Sequence, residues 1–528
     1  MIKENIPLFY KMPPHWMCLL LLVVPSGALR VLVVFPFTSP SHNLLGRSVV
    51  RHLLDAKHEV VHITSFPYKT AKENLTEISI EALGAQILEE IENARVYSVK
   101  NLVGHKNDFN AIKKLYFPYD FHKRTLDNEN MTKFLSDPRE KFDVVLIEWF
   151  FSDLFAGIPP LFQCPFIWMA STDAHWQVLS LVGEVPNPAY TPDIFDLSPT
   201  ASLWNRVCSL AYFVKKYFLS KIFFATLEKS TYNAVYPNIA AKRGVSMPSY
   251  EDAVYNASML FINSHPALGM PHNIPLNAKY IGGYHMDTDL KSLPTHLQNI
   301  MDNANHGVIY FSLGTNLESR LMSGDMISSL LTMFSKLKQA VIWKFEEHLK
   351  NVPKNVYLAR WAPQLNILAH PNLKIFITHS GRMSLTEAVH YGVPVIGIPM
   401  YADQFLNIKA CVKKHVGLEV TLKENLADDL MDAITEILNN RTYTDKALEL
   451  SMTYNHRPLT PGQELVYWTE HTVISKGARH LRPTTQEVFL YQKLYIDLIL
   501  VVIFIGSFIR FVCSFIRKKL NTVKEKRN

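Results

Sequence analysis

The chain has 528 residues, room for two domains of ordinary size, and 48% of them are apolar, enough for large cores. Its formal charge of +7 is not a nucleic-acid signal, because Arg517, Lys518, Lys519, Lys524, Lys526 and Arg527 crowd the end of the chain, opposed only by Glu525. Five cysteines, scattered along the sequence, exclude a disulfide framework or a clustered zinc site.

Lys3 and Lys11 precede an apolar run over 16–24, and Pro25, Ser26, Gly27 and Ala28 follow. A charged start, a short apolar centre and small residues at the cleavage position predict a signal peptide over 1–28. Residues 29–37 then form a continuous apolar run of buried parallel-strand type. Ser41 and His42 lie in the loop after it, 43–56 reads as a helix, and 58–64 as the next strand. Strand, helix, strand is the opening unit of a doubly wound sheet, and the first turn has no Gly-x-Gly-x-x-Gly, which argues against a dinucleotide. His58 and His62 match His-Glu-x-x-His, but that chemistry needs a helix. On a strand the two rings stand roughly 13 Å apart, too far for one zinc.

The strand 142–147 ends on Glu148, with Asp153 shortly after. Residues 203–226 alternate aromatics, aliphatics and lysines, as in a helix lying on a membrane, lining an apolar cavity or packing into a core. Another strand ends at 261–264, and a charged link around 287–305 places a domain boundary near 285. Asp287 and Asp289 have the Asp-x-Asp form that can hold a divalent cation and a diphosphate, but in a linker with no buried strand before it they read first as solvated charges, with the metal as the alternative. The rhythm restarts at 307–313, a strand ending at Gly314 and Thr315. A helix from about Asp325 follows, then strands at 340–345, with Lys344 near its end, and at Val356. Four glycosylation sequons, at Asn74, Asn130, Asn256 and Asn440, fit a lumenal body.

Residues 361–404 carry the densest polar pattern. A short strand (374–378) breaks at His379, Ser380 and Gly381. A helix bearing Ser384 and Glu387 follows, and a second strand (393–398) leads to Asp403 and Gln404. Near the C-terminus, 494–516 is apolar apart from Asp497 and Arg510 and would span roughly 34 Å as a helix, enough for a bilayer. The basic tail 517–528 ends in a Lys-x-Lys-x-x form.

The 361–404 stretch resembles the signature of the UDP-glycosyltransferase family that includes UDP-glucuronosyltransferases. Trp361, Pro363, Gln364, His379, Gly381, Ser384, Glu387, Gly392, Pro394, Asp403 and Gln404 all stand at the family's offsets. Residues 308–315 and 476–482 and the anchored tail resemble the membrane-bound animal members. The resemblance implies an α/β fold of the GT-B type: two Rossmann-like doubly wound parallel sheets facing a cleft, the acceptor-binding one over 29–285 and the UDP-sugar-binding one over 286–485, plus a transmembrane helix. It implies an inverting, metal-independent transfer of a hexose from a UDP-sugar to a hydroxyl of a small lipophilic acceptor. Glucose is favoured over glucuronate on the likeness of the 146–151 region to invertebrate members. UDP-sugar is a co-substrate and no cofactor is expected.

His42 takes the place of the family's catalytic base and Glu148 that of its acidic partner, with Asp153 in reserve. Trp361 and Gln364 would meet the uracil and ribose, and Glu387 the ribose diol. His379, Gly381 and Ser384, joined by Thr315 and Lys344, would hold the diphosphate, and Asp403 and Gln404 the sugar. The family pattern has Gly or Cys where this chain has Ser380, and Arg382, which follows Gly381, is expected to point either at the diphosphate or into solvent. The implied setting is a single-pass protein of the endoplasmic reticulum with a lumenal body and no nucleic-acid partner, and a homo-oligomer is left open. A non-catalytic nucleotide-sugar or lipid-binding relative of the same fold is the alternative.

Overall fold

The computed structural model describes residues 27–525 except 94–101, 104–110, 189, 192, 195–201, 270–272, 287–289, 291 and 316–318. All but the end of the expected signal peptide, and the pair Asp287 and Asp289, lie outside the described residues.

Two parallel sheets organise the chain. The first has seven strands in the order β3-β2-β1-β4-β5-β6-β7: β1 (Arg30–Phe35), β2 (Glu59–Thr64), β3 (Leu75–Ser79), β4 (Val144–Trp149), β5 (Phe166–Ala170), β6 (Met259–Ile262) and β7 (Ala278–Tyr280). The second has six in the order β10-β9-β8-β11-β12-β13: β8 (Val308–Ser312), β9 (Ala340–Lys344), β10 (Val356–Ala359), β11 (Leu373–Thr378), β12 (Val395–Gly397) and β13 (Gly417–Glu419). Central strands such as VLVVF and VIYFS are covered by helices on both faces, which is why they read as unbroken apolar runs. In each sheet the strand order reverses once, between β1 and β4 and between β8 and β11. Ligands of such sheets lie beyond the strand C-termini at that reversal.

The registers put the site residues level with one another. Val34 pairs with Ile147, so Glu148 on β4 stands beside the end of β1. Ser312 pairs with Thr378, so Gly314 and His379 emerge side by side. His42 is not in a loop, as the sequence suggested, but in the first turn of the helix Pro40–Asp55. Pro40 opens that helix because its fixed φ and missing N–H suit the first helical position.

The stretch 286–485 does not stay with the second sheet. The helix Pro461–Ile474 returns to the first, where Leu465 and Ala478 join the core of Val31, Val33 and Val49. A capping box of Thr460 and Gln463 starts that helix. Last comes the helix Ile496–Glu525, whose 496–521 portion is long and apolar enough to cross a membrane and is not packed against the body.

Candidate active site

A cavity of about 820 Å³ lies between the two sheets and is lined from both. From the first come Phe37, Ser41, His42, Phe117, Phe150 and Ser171. From the second come Gly314, Thr315, Lys344, Trp361, Gln364, His379, Gly381, Ser384, Glu387, Asp403 and Gln404. The structure thus lines one cavity with every candidate residue except Glu148, which is buried behind His42, and the reserve Asp153.

His42 Nδ1 meets Glu148 Oε1, and Ser171 Oγ donates to the same oxygen at 2.5 Å. An ionised carboxylate only accepts, so Nδ1 carries the proton and Nε2 keeps its lone pair for the cavity. Phe37 and Phe150 pack on the imidazole with ring centroids 4.7 and 4.9 Å away, which fixes its plane. Asp153 is occupied elsewhere: it accepts from Trp149 Nε1 at 2.7 Å and pairs with Lys221 Nζ at 3.4 Å. The geometry selects Glu148 over Asp153 as the partner of His42.

On the opposite wall, Gln364 Nε2 donates to Glu387 Oε2 at 2.6 Å and to Ser384 Oγ at 3.3 Å, while His285 Nε2 lies 3.1 Å from Glu387 Oε1. Gln364, Ser384 and Glu387, expected to touch three different parts of a nucleotide, are one connected group. Trp361 stands at the rim with 72% of its surface exposed, so its indole face is open to a flat partner.

The helix Arg382–Tyr391 begins beside them. No side chain caps it, so its first backbone N–H groups are open to an anion. His379 lies against the two glycines flanking the entry. A Cβ on Gly314, at φ +85°, or on Gly381 would come within 2.5 Å of its ring. Burial, with Lys344 nearby, pushes the His379 imidazole down to about 4, so near neutral pH it meets an anion as a neutral hydrogen-bonding group. Lys344 Nζ donates to Gly314 O at 2.8 Å and pairs with Glu346 at 3.3 Å; it braces the glycine turn as well as facing the cavity. Thr315 lies exposed on that turn.

At the end of the signature, Asp403 Oδ2 accepts from Asn407 Nδ2 at 2.8 Å. Burial raises the Asp403 carboxyl above the usual range, against the opposing pull of Arg382, Asn407 and His42. Gln404 turns its oxygen onto the N–H groups of Met400 (2.8 Å) and Tyr401 (3.2 Å), which leaves its amide nitrogen as the end that can donate.

Ser380 takes a left-handed φ of +67°, and its buried Oγ has no hydrogen-bond partner among the described residues. Both features cost stability at a position where glycine would pay neither cost. Ser380→Gly is expected to stabilise the protein by about 1 kcal/mol and to raise the unfolding midpoint by roughly 2 °C at a fixed scan rate. Arg382 points neither at the helix entry nor into solvent. It is buried and reaches Asp173, in the loop after β5.

Several of these contacts lay outside the sequence reading: Ser171, Asp173, His285 and Asn407. Three carried a local signal: Ser171 and Asp173 in the polar run Ser171-Thr172-Asp173 after an apolar strand, and Asn407 one helical turn beyond Asp403. His285 carried none.

A family model described as "UDP-glucoronosyl and UDP-glucosyl transferase" matches residues 30–527. UDP-glucosyltransferase 2 of Dactylopius coccus is 30% identical over 94% of this chain and 94% of its own length. UDP-glucuronosyltransferase 2B15 of Rattus norvegicus is also 30% identical, over 68% of this chain and 66% of its own. Among solved structures, the glycotransferase of kitacinnamycin superposes with a TM-score of 0.55 at 14% identity, covering 85% of this chain and 99% of its own. Arabidopsis thaliana UGT89C1 complexed with UDP gives 0.53 at 16%, covering 85% and 100%. These are GT-B glycosyltransferases, and the two facing parallel sheets place this chain in the same fold.

Proposed function

The chain belongs to the UDP-glucuronosyl and UDP-glucosyl transferase family and is a glycosyltransferase, and from that premise we propose that it moves glucose from UDP-glucose to a hydroxyl of a small lipophilic acceptor, with inversion and without a metal ion. The observation that carries this reading is the cavity on which His42, backed by Glu148, and the signature side chains face each other from opposite sheets.

In the proposed reaction, His42 Nε2 takes the proton from the acceptor hydroxyl as its oxygen bonds to the anomeric carbon. The bond from that carbon to the β-phosphate oxygen breaks, and UDP leaves with the electron pair. Glu148 holds the ring and stabilises the imidazolium that forms, as a buried carboxylate does for a histidine base. The charge developing on the leaving diphosphate meets the open N–H groups at the start of the helix Arg382–Tyr391, with His379 beside them. Glu387 accepts the ribose hydroxyls, Trp361 covers the uracil, and Asp403 and Gln404 bind the sugar. Phe37, Phe117 and Phe150 give the acceptor end an apolar wall.

A lumenal body on the endoplasmic reticulum membrane is the proposed setting. Its supports are the apolar C-terminal helix, the exposed sequon residues Asn74, Asn130 and Asn256, and the Lys-x-Lys-x-x tail. The helix Leu203–Phe218 adds to them, since it turns Leu203, Trp204, Leu210 and Phe218 to the outside among Arg206 and Lys215. The segment leading to the membrane helix is tied to the same unit, through Thr485 Oγ to Gly183 O at 2.5 Å and Arg482 to Asn256 at 2.9 Å.

Membranes from expressing cells, given UDP-glucose or UDP-glucuronate with a panel of phenols, test the proposal. Faster UDP release and glycoside formation from UDP-glucose is expected, undiminished in EDTA. Preference for UDP-glucuronate overturns the donor assignment, and UDP binding without release from either donor favours a non-catalytic relative.

A further inference from the structure

We infer that Arg382, gripped by Asp173 from across the cleft, is a positioning residue for Asp403, so that the sugar end of the donor site is assembled only when the two sheets are closed on each other. This rests on the reading that Asp403 faces the transferred sugar.

The contacts form one chain. Asp173 follows β5 of the first sheet, and its Oδ2 lies 3.3 Å from Arg382 Nη2. The same Nη2 donates to Asn407 Oδ1. With its oxygen held there, the Asn407 amide must present Nδ2 the other way, where it donates to Asp403 Oδ2 at 2.8 Å and to Ser380 O at 3.1 Å. An amide has one acceptor end and one donor end, so the cation on one side fixes which end meets the carboxylate on the other. A flipped Asn407 would turn its oxygen towards Asp403 and repel it.

Burial makes the arrangement depend on closure. Asp173, Arg382 and Asn407 are 4%, 6% and 1% exposed, and a charge so buried is tolerated only when paired. Asp173 is itself fixed: its Oδ1 accepts from Ala174 N at 2.8 Å, and Gly269 packs so tightly on it that a Cβ there would overlap its carboxylate. Separation of the two sheets removes Asp173 from Arg382, and the guanidinium is then free to turn away from Asn407. A second tie across the cleft, Lys414 Nζ to Gly269 O at 2.7 Å, lies next to the first, because Gly269 packs on Asp173 from the loop after β6. Of these contacts only the Asn407–Ser380 bond reaches the helix entry, so loss of Asp173, which leaves that bond in place, should act on the sugar and spare UDP.

The full-length protein in detergent or nanodiscs provides the test, with Asp173→Asn and Asn407→Ala made singly and together. For each single variant kcat with UDP-glucose should fall by roughly 100-fold, the cost of a misplaced contact at a reacting centre. In Asp173→Asn, which keeps the Asn407–Ser380 bond, the Kd for UDP should stay within about two-fold, and the affinity difference between UDP-glucose and UDP should shrink. The double variant should lose little more than either single one, since both break the same chain. Parallel loss of UDP and UDP-glucose binding with a falling unfolding midpoint would assign the pair a structural role and overturn the inference. So would unchanged kcat, or losses that multiply in the double variant. If the unmodified protein binds UDP-glucose but transfers nothing, the proposed function fails while the affinity comparison still decides this inference. Absence of UDP-glucose binding overturns both.

Discussion

Replacing His42 with alanine should leave a protein that binds UDP as before and transfers sugar roughly a hundred- to ten-thousand-fold more slowly, the range removed with a general base. The selectivity follows from placement. His42 stands on the side of the first sheet, in the helix Pro40–Asp55 and bonded to Glu148, while the uracil, ribose and diphosphate candidates all stand on the side of the second. Titration calorimetry with UDP and initial rates with UDP-glucose separate the two effects. Glu148→Gln keeps the size of the side chain and removes its charge. It should cost a similar factor, because the imidazolium then forms without its counter-ion. Ser171→Ala, which removes one neutral donor to Glu148, should cost only a few-fold. Unchanged turnover in His42→Ala would show that the base lies elsewhere on the cavity wall. Loss of UDP affinity in step with turnover would show that the variant disturbs the closed cleft.

What could be read beforehand followed the physics of each element. Strands buried on both faces, such as VVLIEW and LKIFIT, announce themselves as apolar runs, and the polar residue near the end of the first, Glu148, and just after the second, His379, marks a site at the strand's C-terminal end. Edge strands do not. β3 is half-solvated, and β7 and β13 are three residues each, too short to show a period. The donor half was legible because its contacts come from one continuous stretch whose offsets are set by one βαβ unit. The acceptor half was not, since Phe37, Phe117 and Phe150 come from separate segments and share no spacing. Ser380 shows the same division. Its strain is a local matter of φ and could be anticipated from the missing glycine, whereas the partner of Arg382 lies on the other sheet and no local pattern encodes it. The helix Pro461–Ile474 follows the same rule: its existence is local, but which sheet it covers is decided by packing.

Glu387→Ala should weaken UDP binding by roughly 100-fold, about 2.7 kcal/mol, as expected when a charged acceptor of two hydroxyl protons is lost. The carboxylate is suited to that task by how it is held. Gln364 bonds one oxygen and His285 the other, so its plane is fixed before any nucleotide arrives and little ordering is left to oppose binding. The same bonds create an ambiguity, because alanine also strands two buried partners and could loosen the wall. Inorganic pyrophosphate resolves it. It has no ribose, so its affinity for the helix entry at Gly381 should be unchanged in Glu387→Ala if the loss is confined to the diol, and should fall with that of UDP if the wall has given way. Glu387→Gln refines the comparison. It retains one accepting oxygen but replaces the other with a donor facing Gln364 Nε2, so its affinity should lie between alanine and the native residue. A glutamine variant as weak as alanine would mean that the charge matters more than the second acceptor.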